Sequence, residues 1–232
     1  MSLGMYASAH VEAGGFVPPS GNVLWVAADD LSLSDADPVV TWVDRSGSGN
    51  DLSAATTGQR PVYKTSIINS LPVVRFDGVD DYMQNTGFAQ ATPHTAIMLF
   101  QLSNVSGTGG VFDQSSLGPA GGFYRSSDQY IMEGGGASIG APGKATVNVV
   151  AVVAIHDGAS SRFYFNGGTA STGTTNAGTL NGVRFFANRN GDHSQAADAG
   201  ELFLFDSALG ASDLNSVGTY LERWGITWST IT

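Results

Sequence analysis

The sequence predicts an all-β protein closed by one short C-terminal helix. Three observations carry this reading. Short runs rich in β-branched and aromatic residues recur from residue 22 onward, the composition of strands on a pleated, half-buried surface. Gly, Asn and Asp turns separate them, in a chain of 232 residues with 31 glycines. Only one stretch, at the C-terminal end, spaces its apolar residues as a helix does.

Taken in order, residues 1–21 are small, aperiodic and rich in Gly, Ala, Ser and Pro, and "FVPPSG" (16–21) reads as an extended segment ending in a turn. This leader reads either as a flexible tail or as an arm that orders against a neighbouring subunit. It precedes one domain over 22–232, with no internal repeat and no break in composition. The expected strands are "NVLWVAA" (22–28), "VVTWVD" (39–44), "PVVRFDG" (72–78), "AIMLFQLS" (96–103), "GGVFDQ" (109–114) and "GFYRSS" (122–127). They continue with "QYIME" (129–133), "VNVVAVVAI" (147–155), "SRFYFNG" (161–167), "VRFFANR" (183–189) and "AGELFLFD" (199–206). "HDGAS" between two of these is an Asp-Gly hairpin loop, and Asn166-Gly167 closes the next turn. In "SDLNSVGTYLERWG", Ser212 is placed to cap a helix and Leu214, Val217, Leu221 and Trp224 share one face. Gly225 stands at its stop position, Gly218 weakens it, and the simplest resting place for this helix is the sheet edge.

Charge narrows the partners. The net charge is −10, the only lysines are Lys64 and Lys144, and the eight arginines are scattered singly. A phosphate-binding surface needs clustered cations, so neither nucleic acid nor an anionic membrane is an expected partner. The start shows neither the basic region nor the apolar run of a signal peptide. The longest apolar run, 147–155, suits a strand and falls short of the ~20 residues of a membrane span. With no cysteine, disulfides contribute nothing.

The order of five pieces resembles the laminin-G-like or concanavalin A-like jelly-roll domains. "LWVAADDLS" is similar to the opening strand of that family, "VVTWVDRSGSGNDLSAA" followed by "RPVY" to its Trp-Asp-Ser-Gly-Asn element, and "LPVVRFDGVDDYM" to its Phe-Asp-Gly strand and turn. "VVAVVAIHDGASSRFYFNG" resembles its paired strands, and "GELFLFDSALGASDLNSVGTYLERWGI" its closing strand and helix. The resemblance covers about residues 22 to 227 and implies two packed antiparallel sheets, a β-sandwich with a short C-terminal helix. Short stand-alone versions of the fold occur in bacteriophage virions as capsid-decorating, head-fibre or tail-associated proteins. It therefore implies a non-enzymatic virion surface or structural protein that joins other virion proteins or itself and adheres to polysaccharide. The alternative is a carbohydrate-binding module of a secreted, extracellular bacterial protein with an optional calcium.

Candidate chemistry is sparse. Retaining glycosidases need two carboxyls about 5 to 5.5 Å apart. The nearest string, "GELFLFD", sets Glu201 and Asp206 on opposite faces of a strand, so Glu201 reads as a single satisfied carboxylate and no hydrolase is expected. The four histidines lack ligand spacing for zinc. For calcium the oxygen donors are Asp44, Asn50 and Asp51, or Asp77, Asp80 and Asp81, or Asp192 and Asp198. Asp44 and Asn50 are the expected pair, against the reading that Asp and Asn only build turns. Trp25, Trp42 and Trp224 read as core. Ligand-facing positions are expected in loops, at Tyr82, Tyr124, Arg125, Tyr130, Asn188, Arg189, Asp192, His193 and Trp228, with "NRNGDHSQ" (188–195) the segment richest in hydrogen-bonding groups.

Overall fold

The computed structural model describes residues 15–115, 121–175, 178–191 and 194–232. Among the described residues sixteen strands, numbered in chain order, form two antiparallel sheets. The first sheet runs β14 (Ser171–Thr175), β13 (Gly158–Phe165), β12 (Val149–His156), β7 (His94–Leu102) and β16 (Ala197–Phe205), then β5 (Leu71–Phe76) and β4 (Val62–Ile68). β16 meets β5 through residues 197–199 and β1 (Asn22–Ala27) through 201–205, so β5 and β1 share one side of it end to end. The second sheet runs β11 (Ala137–Lys144), β10 (Gln129–Gly134), β9 (Gly122–Ser126), β8 (Thr108–Asp113) and β15 (Leu180–Phe185), then β6 (Met83–Gln90), β3 (Leu52–Ser53) and β2 (Thr41–Trp42). This is the all-β sandwich with one short C-terminal helix.

The core between the sheets is aromatic. Phe100 of β7 meets Phe123 of β9 at 6.5 Å, Tyr130 of β10 at 5.7 Å and Phe186 at 5.9 Å between ring centroids. Alternation along β16 sends Leu202 and Leu204 into this core and turns Glu201, Phe203 and Phe205 to the other face of the first sheet. That face is also covered. Helix α1 (Ala211–Leu221) lies over it, with Tyr220 6.3 Å from Phe203 and 6.1 Å from Trp25. Trp224, in the 3-10 turn after α1, packs where a side chain at Gly200 of β16 would stand. The helix thus rests on the sheet face and not on its edge, because β16 carries a second apolar row that needs cover.

Two further details of the helix differ from expectation. Its N-cap is Gly210, without a side-chain hydrogen bond, and Ser212 lies inside the first turn. Entry is fixed instead by Thr95 of β7, whose Oγ1 donates to the Ser207 carbonyl at 2.7 Å and accepts from Leu209 N–H at 3.0 Å. Gly218, a weak helix former, is required: a Cβ there would overlap the Trp228 ring, which lies against the helix. Gly225 ends the segment in left-handed conformation at φ 81°, as its position implies.

At the other end, Phe16 stacks on Tyr220 at 4.0 Å and meets Trp25 edge-on at 5.8 Å. Residues 15–21 therefore lie on this domain's own outer layer, and the rest of the leader lies outside the described residues.

Candidate functional site

A cleft of about 190 Å³ opens on the solvent face of the second sheet, lined by β8, β9, β10 and residues 188–190. Strand alternation builds it. On β9, Phe123 and Arg125 are buried and turn inward while Tyr124 between them faces out. On β10, Tyr130 and Met132 turn inward and Glu133 faces out. Tyr124 pairs with Ile131, which places Tyr124 and Glu133 on one face two residues apart in register. Thr108 and Asp113 enter from the ends of β8.

The segment after β15 forms a wall and is strapped down at several points. Phe186, at φ 61°, plugs into the core 4.4 Å from Phe76, a left-handed conformation that a bulky residue holds only when its surroundings enforce it. Arg184 donates to Gln84 Oε1 at 2.7 Å and to the carbonyls of Asn188 at 3.1 Å and Arg189 at 2.9 Å, with its guanidinium 4.5 Å over the Tyr82 ring. Arg189 donates from its backbone N–H and from Nε to Asp113 Oδ2, both at 3.0 Å. Gly110 lets the segment touch β8, since a Cβ there would stand 2.6 Å from Asn188 N.

The polar groups of the cleft differ in how far they are committed. Asp113 is nearly buried, and its other oxygen accepts from Gln114 N–H at 2.8 Å. Glu133 is half-exposed and has no hydrogen-bond partner among the described residues. Burial, and then the charge of Glu133, push the Tyr124 phenol above its ordinary range.

Of the expected ligand-facing residues, the structure brings Tyr124, Asn188 and Arg189 into this cleft. Asp192 and His193 lie outside the described residues. The others are not in ligand-facing loops. Tyr130 is fully buried, 5.9 Å from Phe165. Arg125 is buried and donates to Gln195 Oε1 at 2.9 Å and to the carbonyls of Gly107 at 2.6 Å and Ser127 at 2.8 Å, tying the β8 and β9 ends together. Tyr82 is buried beneath Arg184, and Trp228 is buried against the helix with Nε1 donating to Asn215 Oδ1 at 3.0 Å. Sequence reading missed Thr108, Asp113 and Glu133. The signal for Glu133 was present, because "QYIME" alternates and a core Tyr130 and Met132 put Glu133 outside.

The oxygen-rich loops are built as turns. Asp44 Oδ1 accepts from Trp25 N–H and Ser46 N–H, both at 2.9 Å, and its Oδ2 from Ser46 Oγ at 2.8 Å and Asn50 N–H at 2.9 Å. The Asn50 amide donates to the Val23 carbonyl at 2.7 Å. A calcium at Asp44 and Asn50 would have to displace these donors. Asp77, Asp80 and Asp81 bring carboxylate oxygens within 4.8 Å of one another. Asp77 Oδ1 there accepts from Val79 N–H at 2.7 Å and Asp81 Oδ2 from Asp77 N–H at 3.0 Å, while burial holds Asp81 up at about 6. Asp198 is paired with Arg75 through two bonds of 2.6 and 2.8 Å. Glu201 is buried on the outer face of the first sheet, accepting from Trp25 Nε1 at 3.1 Å, Trp224 Nε1 at 2.8 Å and the Arg223 guanidinium.

No family model matches the chain, and no curated protein matches it. Among solved structures, a Trypanosoma rangeli sialidase in complex with sialic acid is similar over 93% of this chain and 36% of its own, at TM-score 0.64 and 14% identity. The botulinum neurotoxin serotype D binding domain is similar over 86% of this chain and 52% of its own, at TM-score 0.62 and 11% identity. The type G receptor binding domain of the same toxin group is similar over 87% and 51%, at TM-score 0.63 and 9% identity. The chain spans about a third of the sialidase and about half of the toxin chains. At these identities the likeness is one of fold.

Proposed function

We propose that this protein is a non-catalytic glycan-binding module whose ligand lies in the cleft on the solvent face of the second sheet. The observation that carries the reading is the cleft itself. An outward aromatic ring, Tyr124, stands beside an uncommitted carboxylate, Glu133, and an immobilised polar wall, Asn188 to Asn190. Sugars present an apolar C–H face and a ring of hydroxyls, and sites for them combine a flat aromatic surface with fixed polar groups. The volume, about 190 Å³, is below the ~300–1,000 Å³ typical of larger ligands and suits one ring of a chain. Similar structures include a sialidase in complex with sialic acid and a toxin receptor binding domain, which supports a sandwich that serves in binding.

Two carboxylates reach the cleft, so hydrolysis is the reading to test against. A glycosidase needs one carboxyl as acid and another as base or nucleophile. Asp113 has both oxygens engaged, by Gln114 and twice by Arg189, which leaves Glu133 alone and supports binding without turnover. The setting we propose is the virion surface, where the module would join other virion proteins or copies of itself; a secreted bacterial protein is the other setting.

The test is a glycan array with the full chain and Tyr124→Ala, alongside a reducing-end release assay on every glycan bound. Retention of a glycan, at least tenfold weaker in the variant and without release of reducing ends, is expected. A folded protein that binds nothing, or a Tyr124→Ala variant that binds as well as the parent, overturns the site; release of reducing ends overturns the non-catalytic reading.

A further inference from the structure

The cleft also carries information on which glycans it accepts, an inference that rests on the glycan-binding reading above. Its described charged groups are Asp113, Glu133 and Arg189. Two carboxylates against one guanidinium leave one net negative charge. The single cation is turned on the protein itself, since Arg189 gives both its N–H and its Nε to Asp113. Glu133 is the group left facing the ligand, and an ionised carboxylate only accepts: its two oxygens suit a pair of neighbouring hydroxyls, each donating one bond. An acidic group brought to the same place would meet like charge at short range, in a site whose field is no more favourable at long range, because the whole chain carries −10.

We infer that the cleft selects uncharged sugars, gripping a hydroxyl pair through Glu133 with the ring face on Tyr124, and discriminates against sialylated, uronic and sulfated glycans. The selectivity lies in which residue faces the ligand: Glu133 does, while Arg189 is held by Asp113.

The experiment is one array that carries neutral, sialylated, uronic and sulfated glycans, probed with the full chain, Glu133→Gln and Glu133→Lys, each checked for an unchanged melting temperature. Glu133 is half-exposed and unpartnered, so both variants are expected to fold. Neutral glycans should dominate the parent's signal. Glu133→Gln should weaken them roughly 10- to 100-fold, the loss of hydrogen bonds to a charged acceptor. Glu133→Lys should abolish neutral binding and raise the acidic signal. A parent that prefers acidic glycans overturns the inference while leaving the glycan-binding reading intact. So does a Glu133→Gln variant that binds neutral glycans as the parent does. A parent that binds no glycan overturns both.

Discussion

The carboxylate of Asp44 accepts from four donors drawn from Trp25, Ser46 and Asn50, and Asp51 in turn accepts from Asp44 N–H at 2.8 Å. One side chain thereby joins Trp25 of β1 to the Ser-Gly-Asn turn that follows β2, with Trp25 and Asp44 19 residues apart. Asp44→Ala strands several donors at once, two of them on partly buried backbone. Its expected cost is about 3 kcal/mol, the sum of a few hydrogen bonds to a charged group less what water restores. A urea titration that shows less than about 1 kcal/mol of destabilisation would sink this account of the turn. The same scale explains where site reading from sequence succeeded and failed. Tyr124 and Arg125 are adjacent, so on a strand they cannot both face a ligand, and the period of two assigns one to the cleft and one to the interior. Arg189 and Asn188 were legible as polar groups in a segment without core residues. Asp113 was not, because its role depends on Arg189, 76 positions away.

Among the elements, those buried on both faces were the most legible. β7, β12 and β16 read as nearly continuous apolar runs because the first sheet has core on one side and the helical layer on the other. β6 (MQNTGFAQ), β11 (ASIGAPGK) and β14 (STGTT) were not anticipated. Each is largely polar or glycine-bearing, β11 and β14 are outermost in their sheets, and their strand state comes from pairing with a neighbour and not from local preference. The β7–β12 pairing has a consequence for acid stability. It sets His94 opposite His156, both fully buried, with ring centroids 4.9 Å apart. Burial lowers His94 to about 4, with the Ala91 backbone offsetting part of this, and burial plus the charge of His94 lower His156 to about 3. Both are neutral in the fold and take up protons in the unfolded chain below its ordinary value of about 6.5. The unfolded state then holds more protons, so this contribution is complete above about pH 6.5 and is lost as pH falls from there toward 4 and 3. Each histidine contributes a slope of up to about 1.4 kcal/mol per pH unit. Asp30 and Asp81, both held up at about 6 chiefly by burial, act in the opposite sense, because the native state keeps their protons longer as pH rises from 3.8. The comparison that isolates His156 is wild type against His156→Gln, followed by denaturant melts from pH 7.5 to 4.5. The stability gap between them should narrow steadily as pH falls; a gap that stays constant would show that His156 is not held neutral by burial.

The whole molecule is three layers: the second sheet, the first sheet, and a cap made of α1, Trp224 and Phe16. The first described residues join the C-terminal helix in that cap, where Phe16 stacks on Tyr220. Its polar centre is Glu201, satisfied by two indoles and Arg223, which also binds Asp29 at 2.6 Å. That is a costly arrangement to leave half made, since a buried charge without its partner is destabilising by several kcal/mol. Burial pushes Glu201 up, against the opposing pull of Arg223 and the two indoles, so this acid serves as a fastener of the cap. The cap covers the outer face of the first sheet and the cleft opens on the outer face of the second, with the aromatic core between them. Stability and binding should therefore separate. Trp224→Ala removes a fully buried indole over β16 and should cost 3–5 kcal/mol. Because the two sites share no partner, its effect should add to that of Glu133→Gln within about 0.5 kcal/mol, and the affinity of the folded fraction for a neutral glycan should stay at the parent's value. A double-mutant cycle on both observables checks this. Coupling above about 1 kcal/mol would mean that the cap and the cleft move as one body, and that the second sheet owes its geometry to the helix as well as to its own strands.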